Sequence, residues 1–147
     1  MALQNRCDPF GTLHAVAARG TMMGNRGSRI HDPATKTLAA RRWASKAWIC
    51  CVTQFRGRKH DVWGKTYTAL FFLDEVTALA RGHRPCGECR YRDYQRFMAA
   101  WRTAGLPGEN PREVDRHLHA NRVTRRREQV RFRARTGTLP DGTFVTV

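Results

Sequence analysis

The rhythm of apolar and polar positions changes several times along this chain of 147 residues. Residues 1–30 show no clear period. Small residues and glycines dominate, and Asp8-Pro9 and Gly24-Asn25-Arg26-Gly27 read as turns, so an irregular segment is expected. Residues 47–55, Ala-Trp-Ile-Cys-Cys-Val-Thr-Gln-Phe, form a compact β-branched and aromatic run that predicts a buried strand. Arg56-Gly57-Arg58 predicts a hairpin turn, with a returning strand through His60-Asp61-Val62-Trp63. A further short strand is expected over Thr68–Phe72.

Beyond this point the period becomes helical. Asp74 is placed to cap a short helix, Glu75 to Arg81, which Gly82 would end. Tyr94, Phe97, Met98 and Trp101 fall at i, i+3, i+4 and i+7, one apolar stripe on a helix ended by Gly105. That stripe reads as core rather than as a platform for bases. Asn110-Pro111-Arg112-Glu113 supplies cap, first-turn proline and N3 glutamate for a helix that turns Val114 and Leu118 inward. This helix dissolves at Thr124-Arg125-Arg126-Arg127. From Val130 onward apolar and basic residues alternate, Pro140-Asp141-Gly142 turns, and Thr143 to Val147 reads as a strand. A last strand without a flank implies a longer natural chain or pairing at a sheet edge. The expected fold is a small α+β domain with a short antiparallel sheet and two or three helices. Its divisions are an irregular segment 1–30, a core 31–105, and a helix with basic strands over 106–147.

Charge narrows the partners. Twenty-three arginines and 4 lysines face 12 acids, a formal charge of +15. A GC-rich genome explains the choice of arginine over lysine, but not the shortage of acids. Guanidinium groups make bidentate contacts to phosphate, and such a field attracts polyanions in a salt-dependent way. DNA or RNA is therefore the expected partner. No apolar run approaches a membrane span, and no segment reads as a basic amphipathic helix for a membrane surface. The beginning of the chain lacks the layout of a secretory signal, so a cytoplasmic or nucleoid location is expected.

The five cysteines are Cys7, Cys50, Cys51, Cys86 and Cys89. An odd number without a signal argues against a disulfide scaffold. Cys86-Gly-Glu-Cys89 has the two-residue gap that lets both thiolates face one tetrahedral ion. A redox pair is the competing reading, but no buried strand is predicted directly before it and Pro85 precedes the pair rather than dividing it.

The stretch from Phe71-Phe72 through Asp74-Glu75 and Gly82-His83-Arg84-Pro85 to Cys86-Gly-Glu-Cys89 resembles the second half of the zinc module of the Ada DNA-methylation repair protein family. There too a strand end, a short capped helix, a glycine and a cysteine knuckle follow in this register. Gly24-Asn-Arg-Gly-Ser-Arg-Ile-His31 faintly resembles the start of smaller relatives of that module, and most of the chain is loosely similar to small bacterial proteins. The resemblance implies a four-ligand zinc site in the core, half of it from Cys86 and Cys89. The family's other pair, before the strand, has no clean counterpart here, since the partner of His31 at that spacing is Thr35. Cys51 shares a strand face with Ile49 and Phe55, which makes His31, Cys51, Cys86 and Cys89 the expected set, with Cys50 and Cys7 as alternatives. Cys50 and Cys51 fit equally well as small buried hydrophobes. Methyl transfer is not carried over, because its acceptor thiolate belongs to the missing half.

Asp115, His119 and Arg122 share one helix face, with His117 to one side, as an acid/base pair with an arginine clamp would in a nuclease. The commoner explanation of such spacing is an ion-paired solvent face. His83 stands at an aromatic position of the resembled motif, where packing is expected. Arg41, Arg42 beside Trp43, and Arg125, Arg126, Arg127 are the densest basic clusters, and Arg84 and Arg90 flank the knuckle. Arg131, Arg133 and Arg135 would line one strand face. The function expected is a zinc-stabilised nucleic-acid-binding protein. The alternatives are an enzyme using Asp115 and His119, and an adaptor whose knuckle binds an acidic protein.

Overall fold

A computed structural model describes residues 1–146. It is an α+β fold built on a six-stranded sheet, a two-stranded ribbon and three helices. The large sheet takes β1 (Arg6–Cys7), β2 (Leu13–His14), β3 (Met22–Asn25), β6 (Ile49–Val52), β7 (Leu70–Phe72) and β8 (Arg84–Pro85), in the order β2-β1-β7-β3-β6-β8. The ribbon pairs β4 (His31–Asp32) with β5 (Thr37–Leu38).

The sheet is mixed rather than antiparallel. β1 runs parallel to β7, and β6 parallel to β8. Segment 1–30 is largely loop and turn but supplies β1, β2 and β3, and Gly24 and Asn25 lie in β3 rather than in a turn. The strand has no simple alternation because its two faces meet two small cores. Gly24 is required by closeness: a Cβ there would lie 2.2 Å from the Ile49 carbonyl oxygen on β6. The return through His60–Trp63 is turn and loop, so β6 pairs with β3 and β8 instead of a hairpin partner. Residues 143–146 and the run of Arg131, Arg133 and Arg135 form no strand, and Val147 lies outside the described residues.

The strand register divides the core by face. Cys7, Leu13, Cys50, Leu70 and Phe72 pack on one side with Ala78 of α1 (Glu75–Ala80). Met23, Cys51, Ala69, Phe71 and Cys86 pack on the other, covered in part by Val62 and Tyr67. α1 starts where expected, with the Asp74 carboxylate accepting the Thr77 N–H at 2.8 Å. It stops because Gly82, at φ +84°, allows the Gly82 N–H to reach Leu79 O and the His83 N–H to reach Ala78 O. That reversal sends the chain straight into β8.

α2 (Tyr91–Thr103) and α3 (Pro111–Arg122) are joined by a third core of Met98, Trp101 and Val114, with Tyr94, Phe97 and Leu118 against it. The helical stripe is core, as its spacing predicts. Asn110 caps α3 by accepting the Arg112 and Glu113 N–H groups. Among the described residues no helix is long and apolar enough to cross a membrane.

Candidate metal centre

Three sulfur donors converge from two sequence regions. Within each of the two segments the backbone is regular, and it is their pairing that makes the site. Ile49 pairs with Arg84 and Cys50 with Pro85, so Cys51 and Cys86 follow side by side off the parallel β6–β8 pair. The Cys86 N–H bonds Cys50 O at 2.9 Å and fixes this register. Cys89 returns to the same point because residues 87–90 turn tightly, with the Arg90 N–H bonded to Cys86 O. The Sγ atoms of Cys51, Cys86 and Cys89 all lie within 4.8 Å of one another.

The surroundings favour a negative sulfur at Cys86. The Glu88 N–H donates to Cys86 Sγ at 3.4 Å, the Cys89 N–H also points at that sulfur, and the Val52 N–H donates to Cys89. The positive end of α2 begins two residues after Cys89. The three thiols cannot all ionise without a cation. The Cys51 thiol donates to Cys86 and, with the N–H groups, holds the Cys86 thiol well below its ordinary value against the effect of burial. The same bond and burial push Cys51 up, while burial and the nearby Cys86 charge raise Cys89. A cluster of three sulfurs with donated N–H bonds is the donor set of a thiophilic metal ion. The residues fit such an ion, and Cys51, Cys86 and Cys89 would hold it.

His31 is placed elsewhere. Its Nδ1 meets Thr68 Oγ1 at 2.6 Å, its Nε2 meets the Gly64 carbonyl at 2.9 Å, and its ring stacks on Trp63 at 5.1 Å. It is 4% exposed, a satisfied core histidine holding β4 to the loop before β7. Of the alternatives, Cys50 lies on the other face of β6, receiving an N–H from Arg90 at 3.4 Å, and burial raises its thiol to about 11. Cys7 sits on that same far face, within 3.4 Å of Arg26 Nη2.

Asp115 and His119 make no hydrogen bond to each other among the described residues, and each has another partner. Asp115 is 4% exposed and grips Arg84 through two bonds of 2.7 and 2.8 Å. His119 bonds Arg122 at 2.9 Å and stands edge-on to Trp43 and Trp48. Burial, Arg122 and Lys46 together lower His119 to about 4. Arg84 is therefore engaged inside the protein, and so is Arg90, which binds Glu75 and Asp93. By contrast Arg41, Arg42, Arg125, Arg126 and Arg127 are exposed.

One feature had no signal in the sequence. Arg26, Arg81 and Arg122 surround Trp48, their guanidinium carbons 4.2, 5.3 and 3.8 Å from its ring. His83 packs between Trp48 and Phe72 and is held neutral by burial and by these cations. Residues so far apart in the chain meet only through the sheet and α3.

The fold and the site define a small mixed-sheet α+β protein with a three-cysteine candidate metal centre at the junction of a strand pair and a helix. Compared with models of known families, with curated proteins and with solved structures, the chain matches none.

Proposed function

We propose that the protein is a zinc-stabilised nucleic-acid-binding protein, with DNA as the first partner to test. Zinc is the metal favoured by thiolates in a knuckle followed by a helix, and a structural ion contributes directly to folding. The site joins β6, β8 and α2, the elements on which the small cores depend.

The observation that carries the binding reading is the arrangement of exposed arginines. His119 of α3 stands edge-on to Trp43 at 5.1 Å. Arg41 and Arg42 directly precede Trp43, and Arg125 to Arg127 follow the last turn of α3. Two basic clusters far apart in the chain therefore flank one contact. Phosphate contacts from them would supply affinity with little sequence preference, and the half-buried Trp43 offers an apolar surface between them.

The test is binding of duplex and single-stranded DNA and of RNA across a salt series. Affinity should fall steeply and linearly on logarithmic axes, in proportion to the phosphates neutralised. Failure to bind any of these at low salt would overturn the reading and leave the acidic-protein adaptor as the alternative.

A further inference from the structure

Structural zinc sites are closed by four ligands, and the cysteine cluster supplies three. Cys50 and Cys7 lie on the opposite face of the sheet, and both ring nitrogens of His31 are engaged. Glu88, inside the knuckle, is taken up by Arg58 at 2.7 Å. Further donors lie in the segment between β6 and β7, which contains His60 and Asp61 and packs Val62 and Tyr67 against the sulfur cluster.

This segment touches the knuckle or its sulfur cluster on both sides of His60. Before it, Arg58 ties the loop to Glu88 of the knuckle. After it, Val62 and Tyr67 pack against the cluster that contains Cys51 and Cys86. Tyr67 packs against the same cluster as Cys51, Cys86 and Cys89. The His60 ring stands edge-on to Tyr67, with centroids 5.5 Å apart. His60 lies outside the group of donors within 4.8 Å of one another, so it reaches the sulfurs only if the loop moves. It is exposed, and its nitrogens make no hydrogen bond among the described residues. Asp61 is less suited. Its carboxyl packs on Gly64 in a turn closed by the Gly64 N–H on Asp61 O, and imidazole is the better partner for a thiolate-bound ion.

We propose that His60 is the fourth ligand, completing a Cys51, Cys86, Cys89 and His60 set when the loop closes on the ion. The assignment rests on the three-cysteine site. It makes the centre closed and structural, and it makes repositioning of residues 53–61 a consequence of metal binding.

Cobalt(II) bound to the full chain tests it, because its visible spectrum reports ligand number and type. The wild type should bind one cobalt with a tetrahedral, thiolate-rich spectrum that added imidazole does not change. His60→Ala should still bind one cobalt, at least about tenfold more weakly. Its spectrum should shift, and added imidazole should restore the wild-type bands. Asp61→Ala should behave as wild type. A His60→Ala protein with unchanged spectrum and affinity, or a wild type that already takes up imidazole, overturns the assignment. Cys86→Ser separates the two readings. If the wild type binds no cobalt, or Cys86→Ser binds it equally well, the three-cysteine site itself falls. If only the His60 results fail, that site stands without this ligand.

Discussion

Cys51 and Cys86 are neighbours because β6 and β8 run parallel, with Cys50 opposite Pro85 one residue before each. That single register selects Cys51, not Cys50, as the partner of the knuckle. A shift of one residue would exchange the two thiols between faces of the sheet. The cysteine cluster therefore depends on the sheet register, and a slip in the strand pair would disperse the sulfurs.

Metal content follows the geometry. Purified protein should carry one zinc per chain by elemental analysis. Cys51→Ser, Cys86→Ser and Cys89→Ser should each lose it, while Cys7→Ser and Cys50→Ser should keep it. A chelator should lower the melting temperature of the wild type sharply. A metal-free preparation that melts at the same temperature as the loaded one would remove zinc from the account.

His31→Ala should retain the metal yet lose stability. It deletes two buried hydrogen bonds and the stack on Trp63, a cost of about 3 kcal/mol. Denaturant titration together with metal analysis checks both halves. Loss of zinc in an otherwise folded variant would return His31 to the ligand set.

Asp115→Asn should be destabilising by about 3–5 kcal/mol, because it leaves the Arg84 guanidinium buried without its counter-charge. A nuclease reading makes a different forecast, in which Asp115→Asn and His119→Ala fold normally and abolish cleavage. Thermal melts and a nuclease assay on the same two variants decide between them.

His119 should give the protein an acid limb. Its folded value of about 4 lies below the ordinary histidine value of 6.5, so between these limits the unfolded chain binds the extra proton. Stability from this group is whole above about pH 6.5 and is lost as pH falls toward about 4. His119→Gln should flatten that part of a plot of melting temperature against pH. An unchanged slope would show that other groups produce it. His83, fully buried, works in the same direction.

Nucleic-acid affinity should depend on the exposed clusters and not on the buried arginines. Replacing Arg125, Arg126 and Arg127 by alanine should reduce the salt slope by about 2–3. Changing Arg84 or Arg90 should act through stability instead. An Arg125–Arg127 triple variant with wild-type affinity and slope would move the binding surface elsewhere.

The sequence by itself determined what lies within one or two turns of a residue. The Asp74 and Asn110 caps, the stops at Gly82 and Gly105, the stripe of α2 and the Cys86–Cys89 spacing all depend on neighbours in the chain, and each is found in the structure. The choice of Cys51 was also legible, because alternation along a strand is local. Tertiary structure alone decided the rest. β3 is the centre of the sheet although its residues look like a loop, since strands from both sides satisfy its backbone. His31 became core, Asp115 took Arg84, and three arginines gathered on Trp48, because burial and charge pairing are set by partners dozens of residues away. A composition counts arginines, but only packing divides those that face solvent from those that hold the interior.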